Sequence, residues 1–147
     1  MDAIALKQVM EELIPFNRYL GVKVVEIDRG HVRIEVPFRA ELIGDPIRAV
    51  LHGGVISTLI DAAGGCAVWS SVDDPRARVS TIDLRIDYLR PGQQETLVAV
   101  ADVARIGQRV GAVDMRCFHP SAPGDSIATG KGVYNVVIPK GAPPLAG

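Results

Sequence analysis

His52-Gly53-Gly54-Val55-Ile56-Ser57-Thr58-Leu59-Ile60-Asp61-Ala62-Ala63-Gly64-Gly65-Cys66-Ala67-Val68-Trp69 is the stretch on which the fold turns. It reads as a helix that is apolar on nearly every side, opened by a His-Gly-Gly turn. A helix of that kind belongs inside a core. One carboxylate, Asp61, interrupts it. An unpaired carboxylate in apolar surroundings costs on the order of several kcal/mol, so Asp61 is expected to be kept for a task. Gly64-Gly65 falls mid-helix, where glycine costs about 1 kcal/mol relative to alanine. The sheet, a partner helix or a bound chain is expected to come close there.

The flanking sequence is strand-like. Val22 to Asp28 is rich in β-branched residues, Arg29-Gly30 reads as a turn, and His31 to Phe38 alternates apolar and polar, the pattern of a hairpin. Residues 39–51 have no clean period and contain Gly44-Asp45-Pro46, so they read as a loop feeding the helix. After a polar stop at Ser71 to Arg78, strands are expected over 79–89, 95–106, 109–119 and 126–138. Turns at Pro91-Gly92, Gly107-Gln108 and 120–125 separate them. Strict alternation puts Ser80, not Thr81, on the face of Ile82 and Leu84 unless a bulge intervenes. A short amphipathic helix is expected over 2–14, capped by Asp2 and ended by Pro15. Residues 140–147 read as a loose tail.

This order predicts an α+β layer arrangement: a curved antiparallel meander with one long helix across its concave face. The chain of 147 residues is expected to be a single domain spanning 1–147, with its core at about 21–138. Its apolar fraction of 48% and net charge of −1 fit a globular protein and give no sign of a nucleic-acid partner. No charge-free run reaches membrane-spanning length. The start lacks the apolar core of a signal peptide. Cys66 and Cys117 lie far apart with no metal-ligand spacing, so unpaired thiols in the cytoplasm and no bound metal are expected. His31 and His119 read as ordinary surface histidines.

The element order, together with His52-Gly53-Gly54 and Asp61 inside an apolar helix, resembles the hotdog-fold acyl-CoA thioesterases of the phenylacetic-acid-degradation (PaaI-like) type. The segment from Thr81-Ile82-Asp83 through Arg90-Pro91 is similar to the family's long central strand and its Pro turn. The resemblance covers about Gly21 to Val137. It implies a thioester hydrolase built as a homodimer with one continuous sheet, often doubled into a tetramer, with active sites between subunits. It implies no cofactor; coenzyme A belongs to the substrate.

The roles that follow from the resemblance rest on four catalytic candidates. Asp61 is either a general base for water or a nucleophile. The N–H of Gly53, with Gly54 second, holds the developing oxyanion at the helix N-terminus. His52 orients loop or substrate, and Thr81 carries a hydroxyl that positions the water. One departure stands out. Family members often carry Asn six residues before the His, and Pro46 stands there, preceded by Asp45, the residue left to fill part of that role. Arg90 and Arg109, with Arg105 and Lys131, fall near strand ends where they can meet the phosphates of coenzyme A. A hydratase or dehydratase acting on acyl thioesters, or a non-catalytic acyl-CoA-binding domain, is the rival reading.

Overall fold

A computed structural model describes residues 2–141. The tail expected at 140–147 lies outside the described residues from 142 onward. Helix α1 (Ala3–Gln8) is capped by the Asp2 carboxylate, which accepts from Ile4 N. It runs into a π-helical turn, Val9–Leu13. The helix breaks at Ile14, as a following proline requires. The chain then winds again as α2 (Pro15–Leu20), because proline at the first helical position loses no needed hydrogen bond. The Asn17 side chain, buried, donates to Met10 O at 3.1 Å and ties the two turns together.

Strands β1 (Lys23–Asp28) and β2 (His31–Val36) form the expected hairpin. The loop over 39–51 holds a 3-10 turn at Ala40–Leu42 and a small hairpin, β3 (Ile43–Asp45) with β4 (Val50–Leu51). Helix α3 (Gly53–Ser70) follows, and then the long strands β5 (Arg78–Tyr88), β6 (Leu97–Ile106), β7 (Val110–Phe118) and β8 (Ala128–Val137). Predicted and observed bounds of these strands agree within two residues.

The topology differs from a simple meander. The six-stranded antiparallel sheet runs β1-β2-β6-β7-β8-β5. Pro91-Gly92 is therefore no hairpin turn. The segment between β5 and β6 crosses from the far edge to the middle of the sheet, passing the N-terminus of α3, where Leu51 N donates to Gly92 O at 2.8 Å. This leaves β5 on an edge, paired along one side to β8.

Helix α3 packs on β6, β7, β2 and β5. Val32, Ile34, Leu59, Ile60, Leu97 and Tyr134 are fully buried between them. The helix is not covered all round. Thr58, Asp61, Ala62, Gly65 and Trp69 lie on a half-exposed stripe at helical spacing. Both cysteines are buried and unpaired. Among the described residues no helix is long and apolar enough to cross a membrane.

Candidate active site

Asp61 sits at the middle of the half-exposed stripe. Its Oδ1 accepts from Thr81 Oγ1 at 2.8 Å and from Tyr134 Oη at 3.2 Å. Among the described residues no donor reaches Oδ2. One carboxylate oxygen is thus saturated and the other is open.

A β-bulge brings Thr81 to the carboxylate. The β5–β8 register slips between Thr81 and Asp83, which leaves Ile82 as the extra residue, 58% exposed. Before the bulge Val79 and Thr81 turn to the helix; after it Leu84 and Ile86 do. The alternation read along 79–88 is therefore two alternations out of phase.

The carboxylate opens on a cavity of about 260 Å³. Its walls are mainly apolar: Met10, Ile14 and Phe16 from the N-terminal segment, Trp69 and Cys66 from α3, Val79 from β5. The Trp69 indole is fixed by donating to Ala77 O at 3.1 Å. Burial pushes the Cys66 thiol up to about 12, so it stays neutral.

A second depression, about 320 Å³, lies at the helix N-terminus along Arg48, Leu51, Gly53, Tyr88 and Arg90. His52 is the N-cap of α3, and its Nδ1 accepts from Gly54 N at 2.8 Å. That bond puts the ring proton on Nε2. It also occupies the Gly54 N–H, so Gly54 is not free as a second oxyanion donor while the cap holds. The Gly53 N–H has no acceptor among the described residues. Tyr88 packs on Gly53 and donates to its carbonyl at 3.2 Å. Gly44 seats the turn, since a Cβ there would stand 2.5 Å from His52 Cα.

Asp45 has a local job. Its carboxylate accepts from Ile47 N, Arg48 N and Arg48 Nε, an Asx turn that ties up the oxygens. Those donors, the Arg48 side chain foremost, hold the Asp45 carboxyl below its usual range. Pro46 occupies the turn itself and offers no amide.

Arg90 lines the Gly53 depression and donates to Ser126 O at 2.8 Å. Arg105 and Arg109 flank the β6–β7 hairpin and line neither depression. Lys131 is paired with Asp114 on the sheet face turned away from α3. His119 is a correction: it is 6% exposed, not a surface residue. It accepts from Gln93 N at 2.7 Å through Nε2 and bonds Thr96 O at 2.9 Å through Nδ1, holding the crossover segment before β6.

Gly64 is explained by the sheet. A Cβ at Gly64 would stand 2.2 Å from Tyr134 Oη and 2.5 Å from Met115 Sδ. Tyr134, which the sequence pattern marked only as one residue of the strand expected over 126–138, therefore reaches the site. The mid-helix glycine pair was the sequence signal that something large pressed on α3 there.

The family description "thioesterase superfamily" matches residues 49–121. A Halobacterium salinarum protein named as an esterase is 37% identical, covering 92% of this chain and 93% of its own length. The medium/long-chain acyl-CoA thioesterase YigI of Escherichia coli K12 is 35% identical, covering 72% of this chain and 78% of its own. Among solved structures, the PaaI protein of the Escherichia coli phenylacetic acid degradation operon superposes with a TM-score of 0.78. At 24% identity over 88% of this chain and 89% of that one, this is a likeness of fold.

Proposed function

The chain belongs to the thioesterase superfamily and is a thioester hydrolase, and from this premise we propose that it cleaves acyl-CoA to free acid and coenzyme A, with Asp61 activating the attacking water. The observation that carries the reading is the divided carboxylate: Oδ1 held by Thr81 and Tyr134, Oδ2 open to an apolar cavity. Water between Oδ2 and a bound thioester loses a proton to Asp61 as its oxygen attacks the carbonyl carbon. The carbonyl oxygen gains charge, the C–S bond then breaks, and the thiol leaves with a proton. No cofactor enters this scheme.

The developing oxyanion needs an N–H donor, and the unpartnered Gly53 N–H suits it. Gly53 and Asp61 of one chain stand eight positions apart on α3, about 12 Å along the axis. One thioester carbonyl cannot meet both. A second copy resolves this: joined edge to edge at β5, it continues the sheet and brings its own Gly53 toward this Asp61. The open edge of β5, with exposed Ile82, Tyr88 and Leu89, supports that assembly, since long unpaired edges are otherwise liabilities. His52 Nε2–H and Arg90 lie on the Gly53 side, where the coenzyme arm and its phosphates would run. The cavity walled by Met10, Ile14, Phe16 and Trp69 suits the acyl chain. YigI, a medium/long-chain acyl-CoA thioesterase by name, makes such chains the first to try.

The test is thiol release from a panel of short, medium and long acyl-CoAs with phenylacetyl- and benzoyl-CoA, run with Asp61→Asn alongside. Release by the wild type and a fall of about 10²–10⁴-fold in the variant, with its fold intact, is the expected result. Near-wild-type turnover by Asp61→Asn would sink the role of Asp61. Coenzyme A binding without turnover of any substrate would make the protein a binding domain. Loss of enoyl absorbance from an enoyl-CoA run beside the panel, without thiol release, would make it a hydratase. Single-turnover hydrolysis in ¹⁸O-water checks base against nucleophile: label entering Asp61 marks an anhydride.

A further inference from the structure

Tyr134 is 1% exposed and heads the buried side chains in size. A buried phenol needs a partner. This one directs its proton at Asp61, with Oδ1 and the main-chain O each 3.2 Å away, and touches Met115 Sδ at 3.6 Å. Its seat is cut out of the helix and the sheet. A Cβ at Gly64 would stand 2.2 Å from Tyr134 Oη, and one at Gly132 would stand 2.6 Å from its ring. Glycine weakens a helix interior, so α3 gives up helix propensity at 64 to admit this hydroxyl. A phenylalanine would fill the same core without the polar atom. Burial, and then the Asp61 carboxylate, push the Tyr134 phenol far up from its ordinary range, so it stays protonated and donates.

We propose that Tyr134 is a positioning residue for hydrolysis: together with Thr81 it pins Asp61 Oδ1, so that Oδ2 presents its lone pairs to the water in the cavity. The proposal rests on the reading of Asp61 as the base. A carboxylate held by one donor swings about that bond; held by two on one oxygen, it keeps its plane. Of the described residues that line this cavity, Tyr134 from β8 and Cys66 from α3 are the groups besides Asp61 that titrate. Those from β5 and the N-terminal segment do not ionise.

The experiment compares wild type, Tyr134→Phe, Asp61→Asn and a protein carrying 3-fluorotyrosine at position 134, with whichever acyl-CoA the wild type hydrolyses. In Tyr134→Phe, kcat falls by about tenfold or more while KM stays within about twofold. The acid limb of its kcat/KM profile moves up by about one pH unit, because a donor to a carboxylate favours the ionised form. 3-Fluorotyrosine is a stronger donor of nearly the same shape and moves that limb down; it also serves if Tyr134→Phe yields little folded protein. Unmoved limbs in both proteins, or a loss confined to melting temperature, assign Tyr134 to packing and overturn the proposal. Asp61→Asn separates the two claims. If it hydrolyses like wild type, the reading of Asp61 has failed; if it is inactive while Tyr134→Phe matches wild type, the role of Tyr134 alone has failed.

Discussion

His52 does two things with one ring. Nδ1 caps α3 through Gly54 N, and Nε2–H has no acceptor among the described residues. The two can be separated. Asparagine is as good an N-cap as any residue, so His52→Asn retains the cap and removes the Nε2 donor. Its melting temperature should match wild type while thioester turnover falls several-fold. Equal turnover would reduce His52 to a cap, and His52→Ala would then show no further loss than the cap accounts for, roughly 1 kcal/mol of stability. At this scale the sequence was informative about residue types and poor about contacts. His52-Gly53-Gly54 and Asp61 stand out because they break an apolar pattern. Tyr134 does not, because a tyrosine in a strand is ordinary, and its meeting with Asp61 spans 73 positions. His119 was misplaced for the same reason: its two partners, Gln93 N and Thr96 O, lie in a segment whose path no local pattern reveals.

The central helix carries two adjacent glycines with opposite reasons. At Gly64 an added Cβ meets Tyr134 Oη at 2.2 Å and Met115 Sδ at 2.5 Å. At Gly65 it meets the Tyr134 ring at 3.6 Å, an ordinary contact distance. Gly64→Ala is therefore expected to destabilise by about 1–3 kcal/mol through overpacking, which exceeds its gain in helix propensity. Gly65→Ala is expected to stabilise by roughly 0.5–1 kcal/mol while narrowing the cavity that Gly65 lines. Chemical denaturation of the two variants checks both signs. If both stabilise, the pressure of Tyr134 on α3 is not what keeps Gly64. The bulge at Ile82 belongs to this scale too. A period of two predicted from residues 79–88 is broken by one inserted residue, and only pairing with Tyr134 and Val133 shows where the slip occurs. In the sequence the bulge shows only as a conflict between Ser80 and Thr81.

The molecule as a whole has an unfinished edge. β5 pairs with β8 on one side, and Ile82, Tyr88 and Leu89 on or just past it are each more than half exposed. A second copy joined there is expected, so the mass in solution should be at least that of a dimer. Ile82→Lys places a charge on the joining edge and should yield a folded monomer that has lost hydrolysis. A monomeric wild type that hydrolyses acyl-CoA would overturn the shared site. Much at this scale was set by pattern alone: one long apolar helix, strands on both sides of it, a capped N-terminal helix and the family to which the order belongs. Apolar periodicity and glycine or proline punctuation are local, and local signals survive in sequence. The strand order β1-β2-β6-β7-β8-β5, the meeting of Thr81 and Tyr134 on one oxygen of Asp61, and the closure of Gly54 by His52 were decided by the tertiary structure. Each depends on which distant segments lie side by side, and the cost of closing a long loop is offset by packing of the whole core, not by any residue near the contact.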